Sequence, residues 1–327
     1  MQTSVLLPSM RRYAAQLSLA LVILIGLSAS AQTPDAQNSD RTTSLLIKLH
    51  NGITLNYIVQ GNPQGPVIVL LHGAGDSWHS WQRVLPLLPS TYRVYAVTLR
   101  GHGLSDHPET GYARADFAAD ILDFLDQLHI QHATLVGHSL GSFVAQKVAE
   151  QDAGNHVDRV VLVGSGPGTK KPGGQSITSP FATLQDPVPY TFSRDFQAST
   201  IYHPIPAWFF ETMVAEAQRV PAATWHGLGT SINAGDPLED LKKIHVPTLL
   251  LWGEKDSIFT REDQDTLLKT IPHATLKAYP ETGHALHWEE PEKFTHDLLT
   301  FISPSSARGR KSPQHPPRSS TAKEAGQ

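Results

Sequence analysis

The feature that most constrains the fold of this chain is a series of eight short, β-branched apolar runs separated by polar or helical segments. The central runs, such as VIVLL at 67–71 and TLLLW at 248–252, are apolar on both faces. Only strands that helices cover on both sides need two apolar faces, and such strands form parallel sheets. The predicted strands are Ser44–His50, Ile53–Val59, Val67–Leu71, Arg93–Leu99, Ala133–Gly137, Arg159–Val163, Pro247–Trp252 and Thr275–Tyr279.

Helical periods alternate with these strands. Along Ala113–Leu128 apolar side chains recur every three or four residues, which predicts an amphipathic helix. A second helix is predicted directly after Ser139, and two more over 261–270 and 291–302. Strands that alternate with helices indicate an α/β fold with a mostly parallel, doubly wound sheet.

Residues 166–241 interrupt this alternation. The segment opens with the Gly- and Pro-rich sequence GPGTKKPGG, shows no parallel-strand pattern and is rich in aromatic residues. We interpret it as a mainly helical cap inserted between sheet strands 6 and 7. The insertion divides the core into a first part over 44–165 and a second part over 242–302.

Both ends of the chain differ from the body. Residues 1–31 carry two arginines, an apolar run (LSLALVILIGL) and then small residues, which is the order of an export signal cleaved after Ala31. A retained membrane anchor is the alternative, but the apolar run is shorter than the about 20 residues that span a bilayer. The export route, Sec or twin-arginine, stays open. We interpret residues 32–43 as a polar linker and the Ser-, Pro- and Arg-rich residues 303–327 as a disordered tail.

Charge and composition exclude several functions. The net charge is −4, and the body over 32–302 has 19 basic and 29 acidic residues, so neither nucleic acid nor a membrane is an expected partner of the exported protein. The absence of cysteine excludes thiol catalysis, disulfides and cysteine-ligated metals. No H-E-x-x-H or similar spacing is present, so we expect neither a metal nor a cofactor. The expected partner is a small-molecule substrate, and the oligomeric state stays open.

The sequence GHSLG at 137–141 is the strongest functional motif. It follows the strand-like run ATLV and opens a helical period. In this G-x-S-x-G context the serine lies on a sharp strand-to-helix turn, where small residues allow the backbone to pack tightly. Ser139 is therefore the candidate nucleophile. The backbone N–H of Leu140, at the start of the helix, is a candidate donor to an oxyanion.

A second glycine-rich turn, HGAG at 72–75, follows the strand VIVLL. Its backbone can approach a substrate closely, and the N–H of Ala74 is the candidate for the second oxyanion donor. Without the other motifs such a turn would only reverse the chain.

An acid and a base complete a possible triad. Asp256 follows the predicted strand TLLLW, and His284 follows the last predicted strand. The order serine, aspartate, histidine is the one expected for a nucleophile turn of this type. Glu254 is an alternative acid and His287 an alternative base. In the favoured assignment Ser139 attacks a carbonyl, His284 moves the proton and Asp256 orients the imidazole.

The motifs that identify the family are HGAG at 72–75, LRGHGLSD at 99–106, GHSLG at 137–141, LWGEKD at 251–256 and ETGHALHWEEPEKF at 281–294. Together they make the chain resemble the α/β-hydrolase superfamily, in its cap-bearing, esterase- and haloperoxidase-like branch. The resemblance implies an eight-stranded α/β-hydrolase fold over about 44–302. It also implies a structural turn at 100–106.

Related epoxide hydrolases and haloalkane dehalogenases use an aspartate at the nucleophile turn, so Ser139 implies acyl transfer to water instead. We therefore expect an exported serine hydrolase that cleaves a carboxylic ester or lactone of a small, largely apolar substrate. C–C bond hydrolase, perhydrolase or haloperoxidase-like and iminopeptidase activities are alternatives with the same triad. A ligand-binding protein on a hydrolase scaffold is the alternative from another class. The candidate pocket residues are Trp78, Trp81, His138, Trp208 and Phe210.

Overall fold

The computed structural model describes residues 44–152, 155–168 and 179–303. The predicted export signal, the polar linker and the tail beyond Ser303 lie outside the described residues. Within the described part, no helix is both long and apolar enough to cross a membrane.

Eight strands form one sheet, which confirms the predicted α/β fold. Each strand lies where the sequence predicts it, with ends shifted by at most two residues. The strands are β1 (Ser44–Lys48), β2 (Thr54–Gly61), β3 (Val67–Leu71), β4 (Arg93–Thr98), β5 (Ala133–His138), β6 (Val157–Val163), β7 (Thr248–Gly253) and β8 (Ala274–Tyr279). Strand β2 is antiparallel to both of its neighbours, β1 and β4. The other neighbouring strands of the sheet, from β4 through β3 and β5 to β8, are parallel to one another.

Eight helices accompany the sheet in the described residues. The four helices predicted from periodicity are present, and α7 is a single short turn that the sequence did not reveal. The helices are α1 (Arg114–Gln127), α2 (Leu140–Gln151), α3 (Tyr190–Ala198), α4 (Ala207–Gln218), α5 (Ala222–Ala234), α6 (Arg261–Thr270), α7 (Leu286–Glu289) and α8 (Pro291–Ile302).

Helices α3, α4 and α5 lie between β6 and β7, in the segment we call the helical insertion (179–243). Its aromatic side chains pack together, with the rings of Phe181 and Trp225 4.8 Å apart. Both side chains belong to the same buried cluster as Leu71 of the sheet. The helical insertion therefore shares a hydrophobic core with the sheet.

The strand order places two loops next to each other at the carboxyl edge of the sheet. The order is β1-β2-β4-β3-β5-β6-β7-β8, so the chain passes from β3 to β4 on one side and then crosses to β5 on the other side. Connections that leave neighbouring strands in opposite directions open a crevice between them. Leu71 pairs with Gly137, which brings the ends of β3 and β5 level. The turns HGAG and GHSLG therefore begin side by side.

A buried ion pair holds the turn after β4 against α1. Arg100 donates from Nε and Nη2 to the two carboxylate oxygens of Asp120, each at 2.5 Å. Asp120 is 1% exposed and also accepts a 2.7 Å hydrogen bond from Asn51. A bidentate pair of this kind fixes orientation as well as distance. It anchors the segment that the family resemblance identifies as a structural turn.

We expect Asp120→Ala to lower the free energy of unfolding by about 3–5 kcal/mol, because it leaves the Arg100 guanidinium buried without its partner. Asp265→Ala is the matched control, since it removes an exposed ion pair with Arg261 and is expected to cost less than about 1 kcal/mol. Urea unfolding of the two variants measures the difference. Equal, small losses would contradict a structural role for the buried pair.

Candidate active site

Ser139 occupies a strained turn between β5 and α2. Its backbone has φ 51° and ψ −113°, a conformation that a residue with a side chain rarely adopts. Two backbone hydrogen bonds hold the turn in place. The Ser139 N–H donates to the carbonyl oxygen of Val163 at 3.0 Å, and the Gly141 N–H donates to the carbonyl oxygen of His72 at 3.0 Å. The neighbouring His138 and Leu140 are buried, whereas Ser139 is only half-buried. The turn therefore presents the serine at the crevice.

The two glycines of the motif are required by close backbone contacts. A Cβ atom on Gly137 would lie 2.1 Å from the carbonyl oxygen of Gly141. A Cβ atom on Gly141 would lie 2.3 Å from the carbonyl oxygen of Leu71. Real Cβ atoms do not come this close to backbone oxygen, so α2 can start against β3 only with glycine at both positions.

The HGAG turn is fixed by its histidine. The Leu99 N–H donates to His72 Nε2 at 2.9 Å, so the ring proton is on Nδ1 and donates to the Gly73 carbonyl at 2.7 Å. Burial lowers the pKa of His72 well below its usual value, which keeps this tautomer neutral. Ala74 lies in the turn and is half-buried. Leu140 is the first residue of α2, where N–H groups have no partner within the helix.

His284 and Asp256 form a buried pair at the ends of β8 and β7. His284 Nδ1 lies 2.9 Å from Asp256 Oδ2, and the two side chains are 1% and 0% exposed. Asp256 Oδ1 accepts the N–H groups of Ile258 and Phe259 at 2.8 and 3.1 Å, which fixes the carboxylate. With Nδ1 donating to Asp256, His284 Nε2 keeps its lone pair, and it has no hydrogen-bond partner among the described residues.

The two alternative residues lie in other surroundings. Glu254 is exposed to solvent. His287 is fully buried and lies 3.2 Å from the hydroxyl of Ser80 rather than beside Asp256. The structure therefore pairs His284 with Asp256, as the sequence order favours, and leaves Glu254 and His287 outside that pair.

A carboxylate fastens the His284 loop to the helical insertion. Glu289 Oε1 accepts the N–H groups of Tyr202 and Gly283 at 3.1 and 2.9 Å, and its Oε2 accepts the N–H of His203 at 2.8 Å. The Ala285 N–H donates to the Thr200 carbonyl at 2.8 Å. The segment between α3 and α4 therefore packs directly on the loop that carries His284.

Two of the tryptophans predicted to line the pocket lie elsewhere. Trp81 is fully buried, 4.4 Å from the His287 ring, and presents no surface to a substrate. Trp208 is 60% exposed, on the solvent side of α4. The neighbouring Phe209 is the aromatic side chain that this helix buries. Neither side chain therefore lines the predicted pocket. Aromatic spacing alone does not say which side of a helix packs inward.

The other predicted pocket residues have mixed surroundings. Trp78 is buried and stacks on His79 at 3.9 Å. Phe210 lines a surface groove of about 390 Å³ between α3 and α4. His138 is buried between His284 and His287, with ring centroids 4.9 and 4.5 Å away.

The aromatic residues that do reach the HGAG turn were not singled out from the sequence. A Cβ atom on Gly75 would lie 2.9 Å from the Trp225 ring and 3.3 Å from the Phe196 ring. Gly75 has φ +80°, so both its conformation and its neighbours require glycine. The helical insertion thus covers the turn that carries Ala74 with two aromatic rings.

Known proteins share this fold and are similar in sequence to most of this chain. A family model described as the alpha/beta hydrolase family matches residues 68–297. A non-heme chloroperoxidase from Streptomyces lividans is 30% identical over 77% of this chain and 97% of that relative. A soluble epoxide hydrolase from a Corynebacterium species is 25% identical over 78% of this chain and 95% of that relative. An esterase of known structure from Exiguobacterium antarcticum has a TM-score of 0.72 and 25% identity, over 79% of this chain and 99% of its own.

We expect the free energy of unfolding to fall as the pH decreases from about 7 to about 5. Burial lowers the pKa of His102 to about 4 and the pKa values of His72, His138 and His287 well below the usual range. The unfolded chain takes up these protons below about pH 6.5, so their stabilisation is complete above that pH and is lost on acidification. Burial raises the pKa of Asp76 to about 7 and also raises the pKa values of Glu150 and Glu289, so three carboxyls act in the opposite direction to the four imidazoles.

Urea unfolding at several pH values measures how steeply the free energy of unfolding changes with pH. His102→Gln removes one of the four titrations and should make the slope shallower. A free energy of unfolding that stays constant or rises on acidification would contradict the neutral state of the buried imidazoles.

Proposed function

The chain belongs to the alpha/beta hydrolase family and is a hydrolase, and we propose that it cleaves a carboxylic ester or lactone of a small, largely apolar substrate. The acyl group would be carried on Ser139. The observation that carries the proposal is a serine on the strained turn after β5, at the same sheet edge as the buried His284–Asp256 pair. This combination suits nucleophilic attack on a carbonyl.

Each residue of the site would have one role in acyl transfer. Ser139 Oγ attacks the carbonyl carbon while His284 Nε2 takes its proton, and the backbone N–H groups of Leu140 and Ala74 stabilise the negative oxygen that forms. When the C–O bond breaks, His284 returns the proton to the leaving alcohol. Water then attacks the acyl-enzyme while His284 takes its proton. The acid is released when the bond to Ser139 Oγ breaks and His284 returns the proton to that oxygen. Asp256 holds the imidazole in the required tautomer and stabilises its positive charge throughout.

The residue at the nucleophile turn supports this proposal over epoxide opening. The esterase from Exiguobacterium antarcticum matches nearly its whole length to this chain. The soluble epoxide hydrolase is also similar to this chain. The family resemblance implies an aspartate at the nucleophile turn of epoxide hydrolases, whereas this chain has Ser139 there.

Perhydrolysis is the second candidate, and the similarity to the non-heme chloroperoxidase from Streptomyces lividans favours it. The same acyl-enzyme would then be attacked by hydrogen peroxide in place of water, giving a peracid. The test is a peroxide titration of the acyl-transfer products at constant ester concentration. Peracid formed in proportion to peroxide would support this activity.

We expect Ser139→Ala to abolish hydrolysis of short-chain p-nitrophenyl esters, because no other group supplies the nucleophile. His284→Gln should lower kcat by on the order of 10³-fold or more, since the three residues act as a unit. His287→Gln is the matched control and should keep kcat within about tenfold of the parent protein. A greater loss in His287→Gln than in His284→Gln would assign the base to His287.

Covalent labelling tests the nucleophile without a substrate. A fluorophosphonate probe should add one label per chain, on the peptide that contains Ser139. Labelling elsewhere, or no turnover of any acyl ester by the folded protein, would contradict the proposal and favour a ligand-binding role.

We further propose that the protein is exported through its N-terminal segment. The order of two arginines, a short apolar run and small residues before Gln32 supports cleavage after Ala31. Expression of the full-length gene in a bacterial host should therefore yield a mature protein that begins at Gln32, as measured by intact-mass spectrometry. A mature protein that keeps residues 1–31 would contradict cleavage.

A further inference from the structure

A buried carboxyl lies on the turn after β3, and the mechanism above does not use it. Asp76 is 2% exposed. Its Oδ1 accepts a 3.0 Å hydrogen bond from Gln197 of the helical insertion, and its Oδ2 accepts one of 3.2 Å from the hydroxyl of Ser80. Both partners are uncharged, so no ion pair among the described residues offsets the burial of this carboxyl within hydrogen-bond distance.

The His138 ring separates Asp76 from His284. Asp76 Oδ2 lies 3.9 Å from His138 Nδ1, and the ring centroids of His138 and His284 are 4.9 Å apart. A Cβ atom on Gly73 would touch both His138 and Asp76, at 2.8 and 3.0 Å. The three side chains are therefore closely packed behind the HGAG turn.

His138 does not screen the two groups from each other. Burial, together with His287 and His284, lowers the pKa of His138 well below its usual value, so the ring stays neutral in the neutral pH range. A neutral, buried ring keeps water out and leaves the interaction between a charge on either side strong. A positive charge on His284 lowers the pKa of Asp76, so charges on these two groups attract each other across the His138 ring.

The remaining titratable groups leave Asp76 as the carboxyl on this side of His284. Asp256 contacts His284 directly, at Nδ1. His287 on α7 is buried, and burial lowers its pKa well below the usual value. From α4, Glu216 lies 3.8 Å from His79, in the 3-10 turn (Trp78–Trp81) that follows Asp76.

We propose that Asp76 is a positioning residue of this hydrolase, a second buried carboxylate that acts on His284 across the His138 ring and stabilises the positive charge that His284 carries during acyl transfer. The role in acyl transfer rests on the proposed function, whereas the coupling between the side chains does not. Asp76 touches no reacting atom. Its effect is electrostatic and adds to that of Asp256.

The ionisation of Asp76 gives the inference a measurable signature. Burial raises the pKa of Asp76 to about 7, with the hydrogen bonds from Gln197 and Ser80 opposing that shift. Near pH 5.5 the carboxyl is protonated and resembles an amide in charge and shape. Above about pH 8 it is ionised and stabilises the imidazolium. The contribution to kcat therefore increases as the pH rises through 7.

The first experiment compares kcat of the parent protein with that of Asp76→Asn across this range. Asparagine keeps an acceptor for Gln197 and a partner for Ser80, so the variant removes the charge and preserves the packing. We expect the kcat ratio of parent to variant to be close to one near pH 5.5. Near pH 8.5, kcat of the parent protein should be about tenfold higher than kcat of Asp76→Asn.

Asp297→Asn is the matched control. Asp297 is another buried carboxylate, on α8, and it accepts hydrogen bonds from Lys277 and Tyr279 of β8. Its kcat ratio should not change with pH. A ratio that stays constant with pH for Asp76→Asn as well would overturn the inference, because a purely structural role lowers activity equally at every pH.

The second experiment does not require turnover. In full-length protein labelled with ¹⁵N-histidine and carrying Ser139→Ala, the ring nitrogens of His138 should shift with an inflection near pH 7. Asp76→Asn should remove that inflection and Asp297→Asn should keep it, while His138→Gln assigns the signal. Absence of the inflection overturns the inference even if esters are hydrolysed. Its presence without ester hydrolysis supports the coupling and places the failure in the proposed function.

Discussion

The contact between the backbone of α2 and the end of β3 is the constraint on which the rest of the site depends. The Gly141 N–H bonds to the His72 carbonyl, and there is no room for a Cβ atom at Gly141 or Gly137. Through this contact the strand-to-helix turn packs directly on the HGAG turn, at the crevice between β3 and β5. Because the two turns share one hydrogen bond, the serine and the proposed oxyanion donors are set by the same backbone geometry.

A second constraint is electrostatic. The site contains several buried imidazoles, and burial holds most of them neutral, so the few groups that carry charge there interact strongly. Asp256 is fixed by two backbone N–H groups, which stabilise its charge. Asp76 has only uncharged partners and therefore stays close to its ionisation point.

Much of this arrangement follows from the sequence, for physical reasons that particular residues illustrate. The run VIVLL predicts a strand covered on both faces, and the structure has it at Val67–Leu71. The spacing of GHSLG predicts the turn at Ser139, because the close contacts require glycine at both flanks. Trp81 is fully buried and Trp208 is 60% exposed, so neither lines a pocket, because the shape of a pocket depends on where the cap lies and the sequence does not give that placement. Asp76 was missed because an aspartate after a glycine turn is usually exposed, whereas here Gln197, 121 residues away in the sequence, helps to enclose it.

The fastening of the helical insertion by Glu289 limits how such a protein can be re-engineered. One carboxylate joins the backbone of Tyr202 and His203 to that of Gly283, next to His284. Two aromatic rings of the same insertion press on Gly75. A segment transplanted from a relative to alter selectivity would have to reproduce both attachments. Otherwise the exchange would displace His284 and the HGAG turn together, so the insertion and the candidate site have to be exchanged as one unit.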